Sequence, residues 1–243
     1  MEPSLHARDW EEMASLDPCW AILSAPDKRF GKWNIDEFLR SGEDEITALM
    51  SVAKELGVPQ KFNVAIDFGC GVGRLTRALR ARFEKCHGVD ISSRMLEIAA
   101  RLSSNCDFQQ AQDLRDFPDR YADLVYSNLV LQHQSSRTEA IKLIRDMVRV
   151  LAPGGLLAFQ VPIHMPLRNR IQPRRRAYRI LRAFGFSESA LYTKLKLTPI
   201  RMLWLPEAET GRIVREAGGT VIRVDRFRKD AEPFISAMFY CSV

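Results

Sequence analysis

The chain has 243 residues, 46% of them hydrophobic, and 36 Lys+Arg against 30 Asp+Glu give a formal net charge of +6. This length suits one large α/β unit and is short for two independent ones. No run reaches the roughly 18 apolar residues of a membrane span, and the amino-terminal MEPSLHARDWEE is acidic without an apolar signal core, so a soluble cytoplasmic protein with no transmembrane segment is expected.

Residues 1–60 contain Trp10, Trp20, Phe30, Trp33 and Phe38, and NIDEFLRSGEDEI sets one helix from about Ile35 and another after Gly42, with Ser41 as its cap. Beyond them, strand-like runs at 63–68, 86–89, 106–110, 122–127 and 156–162 alternate with helical patterns at 73–84, 93–103 and 137–150. Ser136 and Glu139 read as a capping box opening the last of these helices, which Pro153, Gly154 and Gly155 stop and turn into the next strand. LPEAETGRIVREAGG is helical, and TVIRVDRF and EPFISAMFYCSV are two closing strands. Such alternation implies a mostly parallel sheet with helices on both faces. Five scattered cysteines without CxxC spacing, and His6, His87, His133 and His164 outside ligand spacings, indicate neither a disulfide framework nor a metal site.

The stretch VAIDFGCGVGRL, residues 64–75, bends a strand into a helix through three alternate glycines. An open parallel sheet binds ligands at the carboxyl ends of its strands, where this turn falls. The dinucleotide spacing GxGxxG fails, because Arg74 or Thr76 occupies the sixth place, and the phosphate loop GxxxxGK[ST] is absent. Asp67, two residues before Gly69, would repel a pyrophosphate and attract an ammonium or sulfonium.

AIDFGCGVGRLTRAL resembles the first motif of class I S-adenosylmethionine-dependent methyltransferases, and GVDIS (88–92) their second strand. The likeness continues through Asp113 and Leu114, ADLVYSNLVLQH (122–133) and VLAPGGLLAF (150–159), so it covers roughly residues 60–162. LDPCWAIL (16–23) is similar to the DPxW-type opening of small bacterial members. The resemblance implies a Rossmann-like, doubly wound sheet of seven strands, mostly parallel with the last antiparallel. It also implies an S-adenosylmethionine-binding domain over 61–243 and a helical extension at 1–60 acting as a lid.

Carried over residue by residue, the resemblance places Asp67 near the methionyl ammonium and the backbones of Gly69, Gly71 and Gly73 against the methionine moiety. Asp90 would accept from both ribose hydroxyls, Ile91 and Met95 would pack the adenine, and Asp113 and the Leu114 amide would meet its edge. Asn128 would contact the methionyl part through its backbone, and Arg74 would neutralise the methionyl carboxylate. His133, after the fourth strand, would be the base for a hydroxyl acceptor, with His164 a second candidate and a purely structural histidine the competing role.

Residues 162–204 form an insertion with ten Lys and Arg against the single acid Glu188, seven of those arginines lying within 168–182, so the basic balance is local. These arginines suit paired hydrogen bonds to carboxylate or phosphate, a nucleic acid or an anionic surface, or else form the solvated side of an amphipathic helix. The expectation is methyl transfer to an oxygen or nitrogen of a small acceptor of anionic character: a sugar, a glycan or a natural-product intermediate. The alternatives are an RNA or protein methyltransferase docking through 168–182, a non-catalytic S-adenosylmethionine-binding protein and, more distantly, an NAD enzyme.

Overall fold

The computed structural model describes residues 4–228 and 233–243. Met1–Pro3 of the opening segment and Glu232 of the final expected strand lie outside the described residues.

Three helices precede the sheet: α1 (Leu5–Leu16), α2 (Pro18–Ile22) and α3 (Ile35–Leu56). The Ser4 hydroxyl caps α1, the Asp17 carboxylate α2 and the Asn34 side chain α3, each satisfying an amide the helix leaves open. The two helices expected around Gly42 are one continuous helix, and Ser41 caps nothing: its hydroxyl donates to the Phe38 carbonyl at 2.6 Å. Gly42 is a packing glycine, since a Cβ there would lie 2.5 Å from the Arg74 carbonyl oxygen.

The chain then alternates through β1 (Val64–Phe68), α4 (Arg74–Arg80), β2 (Lys85–Asp90), α5 (Ser93–Leu102), β3 (Asp107–Gln110), β4 (Ala122–Ser127), α6 (Arg137–Val150) and β5 (Leu151–His164). After it come α7 (Leu167–Arg170), α8 (Pro173–Ala183), α9 (Glu188–Thr193), α10 (Glu207–Glu216), β6 (Thr220–Phe227) and β7 (Ile235–Ser242). The Ser136 hydroxyl accepts from the Glu139 amide at 3.2 Å, as the box-like spacing anticipates. Pro153, Gly154 and Gly155 do not precede β5 but belong to it, because Leu151 already pairs with Ala122. A register shift absorbs them, with Gly154 at φ +74, where only glycine is unstrained.

The sheet runs β3-β2-β1-β4-β5-β7-β6, with β1 to β5 parallel and β7 antiparallel to both β5 and β6. Successive strand residues point to opposite faces. Ala65, Leu124 and Leu156 therefore meet Ile46, Leu49 and Leu79 of α3 and α4, whereas Ile66, Val125 and Leu157 meet Leu143, Ile144 and Ile213 of α6 and α10. Phe159 and Phe239 stack across β5 and β7 with centroids 5.2 Å apart.

A third apolar cluster joins the amino-terminal segment to α5 and α9 through Met13, Trp20, Phe38, Met95 and Tyr192. Polar contacts reinforce it. Glu11 accepts from the Ser93 amide at 2.6 Å, the Tyr192 hydroxyl donates to Asp17 at 2.7 Å, and Arg179 of α8 pairs with Asp9 of α1. No described helix is long and apolar enough to cross a membrane.

Candidate functional site

The chain turns back across the sheet between β1 and β4, the switch point at which open α/β sheets leave a crevice beyond their carboxyl ends. A cleft of about 670 Å³ lies there. The crest after β1 is its floor: Gly69 and Gly71 stand at φ +78 and +54, in the left-handed region that glycine enters without strain. A Cβ at Gly71 would fall 2.4 Å from Ile22 Cδ1, so this glycine also lets α2 close down on the crest.

Asp90 ends β2 at the cleft wall. One carboxylate oxygen accepts from the Gly71 amide at 2.8 Å and the other from the Ser92 amide at 2.9 Å. A carboxylate offers about four lone-pair sites, so acceptor capacity remains on each oxygen. Burial raises its pKa, and the amide bonds work in the opposite direction.

Of the expected site residues, Gly69, Gly71, Asp90, Ile91, Met95, Asn128 and His133 line the cleft; Asp67, Gly73, Arg74, Asp113 and Leu114 do not. Gly73 opens α4 at φ +80. Asp113 accepts from Arg115 Nε at 2.8 Å, and Leu114 is in the core. From the same loop, Ala111 and Gln112 face the cleft instead. His164 is exposed at the end of β5 and does not line it.

Arg74 is 2% exposed and held by Glu45 of α3 at 2.6 Å. Glu45 also accepts from the Tyr126 hydroxyl at 2.8 Å and from Asn128 Nδ2 at 2.6 Å, so one carboxylate fixes a buried cation and a cleft residue together. Leu129, next in the loop, sits at φ +63 with its amide donating to buried Gln160 at 3.2 Å. A non-glycine residue held in this region stores strain of order 1 kcal/mol or more, here at the cleft edge.

Asp67 lies beneath the crest, 1% exposed, accepting from the Thr76 hydroxyl at 2.6 Å. Burial pushes its pKa up from 3.8 to about 7, against the pull of the Thr76 bond and the Arg74 charge. Between those values the folded chain keeps a proton that the unfolded chain has released, so the stability contributed by Asp67 is lost as pH rises from about 4 to about 7. In urea unfolding, Asp67→Asn is expected to gain stability relative to the native chain between pH 5 and pH 8. A difference independent of pH would contradict this.

The His133 ring is fully committed. Nδ1 lies 2.6 Å from the Arg201 carbonyl, which can only accept, so Nδ1 carries the proton and Nε2 accepts from the Gln132 amide at 3.0 Å. Burial lowers its pKa to about 4, more than the Arg201 bond restores.

The amino-terminal segment, expected from the sequence as a lid, supplies His6, Trp10, Ala21 and Ile22 to the cleft, none of them singled out as a site residue beforehand. Trp10 packs edge-on against His133 with centroids 5.4 Å apart.

A family model described as "Methyltransferase domain" matches residues 66–159, from β1 through α6 into β5. The stretch from β1 into β5 is thus similar to a methyltransferase domain. The chain is 36% identical over 124 residues to a trans-aconitate 2-methyltransferase of Methylobacterium radiotolerans, covering 50% of this chain and 45% of that protein. It is 35% identical over 102 residues to a malonyl-[acyl-carrier protein] O-methyltransferase of Enterobacter lignolyticus, covering 41% and 39%. The matched regions thus span about half or less of these curated relatives. Among solved structures, the N-methyltransferase NodS of Bradyrhizobium japonicum, in complex with S-adenosyl-L-homocysteine, superposes with a TM-score of 0.63 at 16% identity, covering 98% of each chain. That likeness speaks for the fold alone.

Proposed function

We propose that the chain binds S-adenosylmethionine in this cleft and methylates a carboxylate oxygen of a small acid, leaving S-adenosylhomocysteine. The residues fit the nucleoside: Asp90 presents spare acceptor positions for two ribose hydroxyls, and Ile91, Met95 and Ala111 give an apolar slot beside it. The Gly69–Gly71 backbone and Asn128 face the methionyl end, with the buried Asp67 carboxyl one layer below, its pKa pushed up to about 7. In this reading α1 and α2 are the lid that excludes water, and α7 to α9 are the inserted outer wall. The cofactor, when bound, supplies an electrophilic methyl group on a sulfonium.

The observation that carries the choice of acceptor is the state of His133. With Nδ1–H directed at the Arg201 carbonyl, Nε2 occupied and a pKa near 4, it is ill suited to remove a proton near neutral pH and instead holds the cleft wall. A carboxylate is already deprotonated, so positioning against the methyl carbon supplies the catalysis. Trans-aconitate and the malonyl group, named for the two relatives, are both carboxylic acids. The docking alternative has less to work with: Arg170, Arg174, Arg179 and Arg182 are engaged by carbonyls or carboxylates of the chain itself.

The test is incubation with methyl-labelled cofactor and a panel of di- and tricarboxylic acids, followed by mild alkali. Label recovered as methanol is expected, with a rate nearly flat above the Asp67 transition near pH 7. No product across the panel, or label stable to alkali on nitrogen or an ether oxygen, would overturn the carboxylate reading.

A further inference from the structure

Beside the cleft lies a second cavity of about 430 Å³, sharing His6, Trp10 and His133 with it and lined also by Arg175 and Arg201. Arg175 projects from α8 and is fixed by one bond, Nε to the Pro199 carbonyl at 3.0 Å. Arg201 is anchored through its backbone, whose carbonyl holds His133, while its guanidinium has no hydrogen bond or ion pair among the described residues. Both residues are half-buried, and no described carboxylate pairs with either.

Among the described residues the only acid lining this cavity is Asp9, whose two oxygens both accept from Arg179. The cavity therefore holds two further guanidiniums, which the Asp9 charge attracts but which no carboxylate of the described residues pairs with. Their field is felt nearby: burial first, then the charges of Arg201 and Arg175, lowers the His6 pKa to about 4, so His6 remains neutral near pH 7 and adds no third positive charge. Two guanidiniums held together without a paired anion repel each other, and the arrangement is relieved by a ligand that accepts from both.

We propose that Arg175 and Arg201 form an anion-binding subsite that grips a carboxylate or phosphate of the acceptor while another of its groups reaches the methyl-transfer cleft past His133 and Trp10. The acceptor is then a molecule with at least two functional groups, one anchored and one methylated. The planar forks suit bidentate recognition of either anion. This rests on the methyl-transfer reading for the identity of the ligand, but not for the existence of the subsite.

The experiment is calorimetric titration of tricarballylate, of inorganic phosphate and of the uncharged triamide of tricarballylate into protein saturated with S-adenosylhomocysteine. The native chain, Arg175→Gln, Arg201→Gln and the double variant are compared. The native chain is expected to take up one of the anions and not the triamide. Each single variant should lose about tenfold or more in affinity, the size of one charge-assisted hydrogen bond, and the double variant should lose binding, all with unchanged affinity for S-adenosylhomocysteine. Preference for phosphate would assign a phosphorylated acceptor to the same subsite, and preference for tricarballylate a polycarboxylate. If Arg175→Gln fails to fold for want of the Pro199 bond, Arg201→Gln decides, since its guanidinium has no such bond to lose. Failure of the native chain to bind either anion, or undiminished binding in the variants, would overturn the proposal. Absence of S-adenosylhomocysteine uptake alongside arginine-dependent anion binding would instead sink the methyl-transfer reading and leave the subsite standing.

Discussion

Asp90→Ala is expected to weaken S-adenosylhomocysteine binding by about 5- to 150-fold, the range set by losing a buried hydrogen-bonding partner worth about 1–3 kcal/mol. Two effects combine in that loss. The ribose hydroxyls lose their acceptor, and the Gly71 and Ser92 amides, now bonded to the two carboxylate oxygens, lose theirs. The crest is thereby loosened at the point where the methionyl end would lie. Calorimetry at constant salt reads the change, with a melting curve to show that the variant folds. Native-like affinity in a folded Asp90→Ala chain would remove Asp90 from the cofactor site.

Glu45→Ala should have the largest effect on stability. Arg74 is almost wholly buried, and its Nε already has no hydrogen-bond partner. Removing Glu45 leaves the guanidinium with the Ser41 hydroxyl at 3.3 Å as its remaining side-chain partner. Breaking a buried pair from one side costs about 3–5 kcal/mol, and the partial exposure of Glu45 reduces this to about 2–4 kcal/mol, or roughly 6–12 °C in melting temperature for a chain of this size. The same substitution frees the Asn128 side chain, so cofactor affinity should fall as well. An unchanged melting temperature would mean that water replaces Glu45 at no cost and that Arg74 is not held as the geometry indicates.

These two residues also show where the sequence was readable. Asp90 stands at the end of an apolar run, a fixed interval after a glycine turn, and both signals are local. The strands were legible for the same reason: β4 is buried at every position, and such apolar runs are visible without knowledge of partners. Glu45 is a lone acid in the middle of a charged helical stretch, separated from Arg74 by 29 positions; nothing in the spacing marks it as the partner of a buried cation. Gly42 reads as a helix break because glycine lowers helix propensity, whereas tertiary packing against Arg74 keeps α3 continuous. Gly154 and Gly155 read as a turn because their accommodation within β5 depends on a register shift against β4.

The cleft itself was half visible. Its floor and the Asp90 wall follow the β1 and β2 motifs, but His6, Trp10 and Ile22 arrive from a segment more than forty residues upstream of β1, with no periodic signature pointing at the glycines. The arginine-rich insertion was visible as composition only. Sequence could not separate the arginines that bind their own chain from Arg175 and Arg201, because that distinction depends on which of them an acid or carbonyl reaches in space.

The position of β7 bears on how the chain is made. It is an interior strand, wedged between β5 and β6, so during translation β5 leaves the ribosome well before the segment that will cover its edge. An uncovered, apolar strand edge invites pairing with other chains, and closing it requires a contact distant in sequence, which forms slowly. The nascent protein thus passes through an interval with β1 to β5 assembled and one flank open, in which chaperone protection and the speed of elongation govern the yield of folded protein.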